Sequence, residues 1–565
     1  EMQRRYDKDT EPAVVKQFAW FLPGEKLEYT EEVSLLNAIG RMDGKLMLSN
    51  YRLTFHPKDA NMERDPLIQI PCGLVLRIEK LGSHGALARK GPVYGIAIFT
   101  KDNNSVRFAC SEKDKTRKSL IEGLSKSVHR NTHGKALFAV DFYTTSPSEF
   151  AFDGWSLYNG TKEFARLGIP SNLWTIIDWN NNYQLSSTYP SVLAIPSAAA
   201  AKGRQFVQKV ADYRSRERFP VLSWIHPTTQ ASITRCSQPL PGVMNKRSVE
   251  DEEFIDLILS ANSNGHRLNI VDARPTLNAT VNRAKGGGYE NEYDRCSLTF
   301  LNIDNIHAVR DSLRNLEAAL FPKVDDNTYL KEVDDSRWLT HIACILEGAA
   351  SIVQSLHLHK CSVLVHCSDG WDRTAQLTSL SMLLLDGFYR TLEGFAILIE
   401  KEWCSFGHKF NDRCGHGIDC STDQERSPIF IQFLDCVYQI VRQFPVHFEF
   451  TTEFVAAIAD QLYACRFGTF LYNTERERMQ YRTKTHSVWS YLLGNDRYQY
   501  TNPLFQATDC PLFINVSQRV LCVWKEHYGR HNETLVSPQS QLLHRSSLFR
   551  AYGSRGVLSQ LVQSH

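Results

Sequence analysis

Residues 362–374 read Ser-Val-Leu-Val-His-Cys-Ser-Asp-Gly-Trp-Asp-Arg-Thr. The apolar run 362–365 predicts a strand, Gly370 permits a tight backbone curl, and Leu377, Leu380, Leu384 and Phe388 recur at helical spacing. A strand, loop and helix in that order point backbone N–H groups and a helix N-terminus at an anion. Arg373 adds a planar fork that grips two phosphoryl oxygens. Cys367 and Arg373 together form a Cys-x5-Arg segment. Two other segments share that spacing, 420–426 and 436–442. The first is acidic, lacks Gly and has no strand leading into it. The second lies in an apolar run of helical character, so Cys436 reads as core.

The chemistry of 366–374 follows from the thiol. A free Cys with a pKa of about 8.5 is only about 3% thiolate at pH 7. A helix N-terminus and a cationic neighbour lower it, and a shift to about 6 gives roughly 90% thiolate. The donors that hold a thiolate also hold a phosphate in flight. Thr374 is placed to donate a hydroxyl hydrogen bond to the sulfur as it leaves in a second step. His366 has two readings, an orderer of the loop backbone and a satisfied buried His at a strand end. A leaving alkoxide needs a general acid. Asp369 and Asp372 both lie in the loop, and a neighbouring dianion would raise a carboxyl pKa and keep it protonated. Asp372, beside Arg373, is favoured over Asp369. Arg373 and the backbone supply the positive field, so neither a metal nor another cofactor is called for.

The wider chain sets bounds. Its 565 residues suggest three or four units of about 100–200 residues, or fewer if one α/β domain is large. At 42% hydrophobic and 22% charged, wholesale disorder is excluded. Lys+Arg of 64 against Asp+Glu of 62 gives no support to nucleic-acid binding. The sequence holds no run of about 18 apolar residues. Residues 1–12 carry no apolar signal core, although the chain starts without Met. The 14 Cys are scattered, which fits a reducing cytosol.

Residues 15–130 read as a small β-rich domain with a closing helix. Strands are predicted at 45–55, 67–70, 74–78, 94–99 and 105–109, with a hairpin turn at Asp43-Gly44 and a helix at 113–128. Lys80, Arg89, Lys90, Arg117 and Lys118 are either a solvated rim or a site for anionic lipid. Residues 131–148 read as a linker. Residues 149–525 read as an α/β domain, with strands at 192–195, 221–225, 269–271, 298–303 and 362–365. The tail, 526–565, is polar with thin heptad character and is read as unstructured. His408, Cys414, His416 and Cys420 match no common zinc spacing. Lys285-Gly-Gly-Gly288 lacks the strand–loop–helix context of a nucleotide site and reads as a conformational loop near the substrate.

The nine residues 366–374 resemble the signature of the active myotubularins, lipid phosphatases of the Cys-based superfamily. Asp272-Ala-Arg-Pro275, Lys285-Gly-Gly-Gly-Tyr289, Asn305-Ile-His307, Glu402-Trp403, Ser405-Phe-Gly-His408 and Arg442-Gln-Phe-Pro445 agree with that resemblance. It covers residues 20–525 and is nearest the subgroup containing myotubularin itself. It implies an α/β Cys-based phosphatase domain, a central sheet with surrounding helices, preceded by a PH-GRAM domain. It implies hydrolysis of the 3-phosphate of phosphatidylinositol 3-phosphate and phosphatidylinositol 3,5-bisphosphate. Carried over residue by residue, Cys367 is the nucleophile, Arg373 the phosphate-binding Arg and Asp372 the acid. Ser368, Asp369, Gly370 and Trp371 cup phosphate and inositol, and Asn282, Asn305 and Ile306 approach the substrate. Arg413 lies near the second phosphate. Lys409 stands where some members have Arg, keeping the charge but losing the fork. The implied partners are phosphoinositide membrane lipids and homo- or hetero-oligomers with related myotubularins. The implied location is the cytoplasm, peripheral on endosomal or other internal membranes.

Two other readings compete. A tyrosine or dual-specificity protein phosphatase shares the Cys-x5-Arg loop, but no Trp-Pro-Asp acid loop occurs. A non-catalytic membrane-binding scaffold would lack Cys367 or Arg373, and both are present.

Overall fold

A computed structural model describes residues 18–529 except 38–39, 63–65, 83–92, 103, 111–113, 131–133, 321–324, 418–423 and 496. The first domain is a seven-stranded antiparallel sheet. Its strands are β1 (Leu27–Asn37), β2 (Gly40–Ser49), β3 (Arg52–Pro57), β4 (Ile68–Pro71), β5 (Val75–Leu81), β6 (Gly95–Thr100) and β7 (Ser105–Ala109), in the order β4-β3-β2-β1-β7-β6-β5. The helix α1 (Asp114–Val128) closes it, burying Leu120, Leu124 and Val128 as its spacing predicted.

Three expectations need correction here. The run 45–55 is two strands joined by a turn at Asn50-Tyr51, not one. Asp43-Gly44 is not a turn but lies inside β2, opposite Ser34 and Val33. Gly44 is there because a Cβ would lie 2.2 Å from the His56 carbonyl oxygen and 2.5 Å from the Phe55 ring. Arg117 is not a free cation. It donates to the carbonyls of Leu81 and Gly82 and stacks on Tyr94 at 3.9 Å. Arg89 and Lys90 lie outside the described residues.

The stretch read as a linker contains a helix, α2 (Phe138–Thr145). Phe138 is buried and stacks on Tyr51 at 4.3 Å. Asp141 accepts from Asn50, and the Ala139 amide donates to the Cys465 carbonyl at 3.0 Å. Gly73 of the first domain approaches the second so closely that a Cβ would lie 2.3 Å from the Tyr463 carbonyl oxygen. One continuous apolar core therefore runs through both domains.

The second domain is built on strands β8 (Trp174–Ile177), β9 (Leu193–Pro196), β10 (Val221–Ile225), β11 (Ser232–Cys236), β12 (Leu268–Asp272), β13 (Cys296–Phe300) and β14 (Val363–His366). The central sheet has the order β10-β11-β14-β12-β13 and is parallel except for β10. The pair β8-β9 stands apart, so the strand predicted at 192–195 exists but belongs to a separate sheet. Strand β11 escaped prediction because Ser232-Ile-Thr-Arg-Cys236 is too polar to read as buried, although all five residues are. Cys236, Asp272 and His366 end in register at one edge of the sheet. Loops at the carboxyl ends of parallel strands are where such sheets place ligands.

The helix Arg373–Leu385 follows β14, and every residue in it is buried. It packs between the helices Trp338–His357 and Ile429–Gln443. The helix Trp338–His357 is long and apolar enough to cross a membrane, but its apolar face is spent on this core. Cys436 is core, as read. The tail boundary at 525 is too early. Tyr528 is buried, and its hydroxyl donates to Asp435 at 3.0 Å. The rest of the tail lies outside the described residues.

Phe138→Ala tests whether α2 holds the two domains together. Large-to-small changes at such sites cost about 3–5 kcal/mol. We expect the earliest denaturant-unfolding midpoint to fall accordingly. A loss under about 1 kcal/mol would show that α2 carries little of the junction.

Candidate active site

Cys367 sits at the carboxyl end of β14, the middle strand of the sheet, and is 2% exposed. The loop after it curls because its carbonyls are gripped from outside. His366 Nδ1 lies 3.1 Å from the Cys367 carbonyl oxygen, and the Gln238 amide donates to that of Ser368 at 3.0 Å. The Gly370 carbonyl accepts from Arg218 at 2.9 Å and Arg235 at 2.7 Å. The Trp371 carbonyl accepts from His408 Nδ1 at 3.0 Å. With these carbonyls held outward, the Gly370 N–H turns inward and donates to Cys367 Sγ at 3.3 Å. Gly370 has φ +75°, and a Cβ on it would lie 2.3 Å from the Cys236 carbonyl oxygen. Only glycine fits that position.

The thiol's environment decides its reactivity. Burial alone would raise the Cys367 pKa. The Arg373 guanidinium, with Thr374 beside it, outweighs burial, and the net direction is down. The Thr374 hydroxyl oxygen is itself buried and meets no hydrogen-bond partner among the described residues. Arg373 is itself oriented by a 3.0 Å bond to the Ile303 carbonyl. Behind the loop, Arg235 pairs with Glu402 at 2.7 Å. Arg218 donates to Thr188 and Phe406 as well as Gly370 and has no carboxylate partner among the described residues. Burial lowers it to about 10, so it remains charged at neutral pH. An uncompensated buried cation behind the loop favours a dianion in front of it.

His366 is bonded on both sides, as the orienting role requires. Its Nε2 lies 2.9 Å from Glu290. Burial lowers its pKa, but the Glu290 charge reverses this and the net direction is up. The ring thus lies between the Glu290 carboxylate and the Cys367 carbonyl. Glu290 is in turn paired with Arg214 at 2.5 Å, and Arg214 with Asp251 at 2.6 Å.

Asp372 is held as the anion by the protein groups around it. Burial would raise its pKa, but Arg413 at 2.8 Å and His408 at 3.0 Å hold it well below the usual carboxylate range. Arg413 is not free for a second phosphate. All three of its guanidinium nitrogens are engaged, by Asp372 and Glu425. Asp369 has a different setting, accepting from Ser215 Oγ at 2.7 Å.

The other residues named from sequence fall near the loop in differing ways. Asn282 donates to Ser368 Oγ at 3.2 Å. Lys409 stands over the Trp371 ring at 4.7 Å and reaches Asp412 at 3.2 Å. Asn305 caps a helix, its Oδ1 accepting from the amides of His307 and Ala308. Ile306 is half-buried, and its carbonyl accepts from Ser427. The contact of this segment with the loop is made by Ile303, whose carbonyl accepts from Arg373. The glycine loop is pinned, since Gly287 and Gly288 pack on Gln238 and Pro241, and Arg274 donates to the Gly288 carbonyl. His408 serves Asp372, while His416 contacts the Phe470 carbonyl and Cys465 Sγ. Cys420 lies outside the described residues.

Sequence reasoning missed Arg214, Arg218, Arg235, Gln238 and Glu290. One signal was available: Arg235 is a charge in the short run Ser232-Ile-Thr-Arg-Cys236, costly to bury unless paired.

A central parallel strand, a curled loop around a lowered thiol and an oriented Arg define a cysteine-based phosphoryl-transfer enzyme. Residues 137–479 match the family model of the myotubularin-like phosphatase domain, and residues 14–130 match that of the GRAM domain. The phosphatidylinositol-3,5-bisphosphate 3-phosphatase mtm-1 of Caenorhabditis elegans is 47% identical over 530 residues, covering 92% of this chain and 90% of that protein. Myotubularin of Xenopus laevis is 44% identical over 526 residues, covering 92% and 85%. The phosphatidylinositol-3,5-bisphosphate 3-phosphatase MTMR2 of Bos taurus is 43% identical over 533 residues, covering 93% and 81%. The chain belongs to the myotubularin family of phosphatases.

The balance at the thiol can be measured by iodoacetamide inactivation against pH. Thiolate fraction rises with pH through the pKa, so the native inflection should fall below the ordinary thiol value of about 8.5. In Arg373→Met the attraction is gone and burial dominates, so the inflection should move upward. Superimposable profiles would mean Arg373 does not hold the thiolate.

Proposed function

We propose that this chain hydrolyses the 3-phosphate of phosphatidylinositol 3-phosphate and phosphatidylinositol 3,5-bisphosphate through a cysteinyl-phosphate intermediate. The observation that carries the reading is Cys367 at the end of the central strand, its sulfur accepting from the Gly370 amide, with Arg373 favouring the thiolate. The thiolate attacks phosphorus as the inositol oxygen departs with a proton. Water then attacks the phosphocysteine, and the sulfur leaves as thiolate under the Thr374 hydrogen bond. The relatives' names supply the lipid class. Lys409, on the face of Trp371, is the cation proposed to meet a second phosphate.

The leaving-group acid has two readings. Asp372 is the family's residue and is ionised in the empty site. As acid, it takes its proton when the substrate dianion offsets Arg413. Asp369 is the alternative, favoured by its freedom from any ion pair among the described residues. Removing the acid should slow a poor alkoxide leaving group by about 10²–10⁴-fold and leave a phenolate nearly unaffected. Asp372→Ala and Asp369→Ala, each assayed on a short-chain lipid and an aryl phosphate, therefore separate the two. Equal losses on both substrates remove the residue concerned.

Membrane action is supported by the rim of the site. Val243 and Met244 are 72% and 87% exposed, and Leu277 on the helix Thr276–Ala284 is 73% exposed. That helix carries Asn282, which touches Ser368, and Arg283 ties it to Asn245. Exposed Lys246, Arg247 and Lys285 flank these apolar tips. Apolar tips ringed by cations suit an anionic bilayer. The location we propose is the cytoplasm, peripheral on endosomal or other internal membranes. Its assembly with itself or related myotubularins is a further part of the proposal, read by light scattering. Val243→Asp with Met244→Asp should lower turnover on vesicles several-fold and spare a short-chain substrate. Equal loss on both would argue that the rim supports the fold instead.

A further inference from the structure

We propose a second anion site at the seam between the two domains, taking a polyol that carries about three phosphates. A cavity of about 500 Å³ opens between strands β5 to β7 of the first domain and the helix Ile306–Leu320 of the second. Arg77, Lys101, Arg107, Arg310, Arg314 and Arg426 line it, three from each domain. Glu317 is the one carboxylate in that lining. Six positive charges against one negative leave five. A phosphate monoester carries about −1.5 to −2 at neutral pH, so roughly three would balance them.

The cations are not spent on one another's neighbours. Arg107 and Arg426 have no ion-pair partner among the described residues. Lys101 is buried, and its ammonium donates only to the neutral carbonyls of Gly73 and Gly415, at 2.8 and 3.0 Å. Arg310 is held by the carbonyls of Gln424 and Arg426, with Asp311 at 3.9 Å as its one carboxylate among the described residues. The counter-charges of Arg77 and Arg314 are Glu79 and Asp311, both half exposed or more and outside the cavity. The Arg77 guanidinium lies over the Phe99 ring at 3.8 Å. Guanidinium forks converging from two sides suit phosphoryl oxygens. The volume suits one headgroup-sized ligand. A lipid headgroup and a soluble inositol polyphosphate share this chemistry.

The site is separate from Cys367, so it is tested apart from catalysis. Inositol hexakisphosphate is titrated calorimetrically into the full chain carrying Cys367→Ser, at physiological salt. Vesicles containing a phosphoinositide form a parallel arm. Arg107→Glu with Arg314→Glu, both exposed side chains, should weaken binding at least about tenfold, the loss of one charge-assisted contact or more. Glu317→Gln should tighten it several-fold, which a merely structural effect would not do. Turnover of a short-chain lipid by the Arg107→Glu, Arg314→Glu chain should be unchanged. Soluble binding with this pattern identifies a polyphosphate ligand. Vesicle binding alone with this pattern identifies a lipid headgroup. Binding that ignores all three substitutions in both arms, or no binding in either, overturns the proposal.

Discussion

A loop can turn its amides toward a phosphate only if something holds its carbonyls from behind. In this protein that something is buried arginine. Arg218 and Arg235 meet at the Gly370 carbonyl, and Arg214 reaches the other side through Glu290 and His366. None of these arginines touches solvent. Burying an unpaired cation is expensive, and each is met by carbonyls or a carboxylate. The cost is offset by the site's sharpness: the Gly370 amide, the thiol and Arg373 are oriented before substrate arrives.

The same network explains why the central sheet is ordered as it is. Strand β14 lies between β11 and β12, so the residues after Cys236 and Asp272 flank the loop on both sides. From one side come Ser237 and Gln238, and from the other Arg274, itself paired with Asp272 at 2.7 Å. Gln238 also accepts from Arg274 and from the Gly288 amide, joining the glycine loop to the same frame. The first domain is part of the same solid. Its glycine at 73 lies against the second domain's backbone, and α2 closes the junction.

Asp372 shows how a residue's role depends on what its neighbours do. From its position in the loop it reads as an acid near a dianion. In the folded chain it is the anion that neutralises Arg413. The two descriptions are compatible only if substrate changes the charge balance, since the empty site favours the ionised form.

Local pattern carried the chemistry. The strand into Cys367, the Gly at 370 and the helix after Arg373 are each dictated by neighbours within a few residues, so their meaning survives in the bare sequence. The closing helix and most strands were legible for the same reason. Asp43-Gly44 misled because the same glycine that permits a turn also permits a close approach, and only the partner strand tells which. Strand β11, the helix in the supposed linker and the tail's buried Tyr528 were hidden because tertiary partners, not local periodicity, bury them. The arginines behind the loop come from positions 214, 218 and 235, and their counter-charges from 251, 290 and 402. Ion pairing at a few ångströms has no signature at such separations in sequence. What the residues alone determined is the Cys-x5-Arg loop between its strand and helix. What the tertiary structure decided is which charges surround them, because electrostatics follows distance in space.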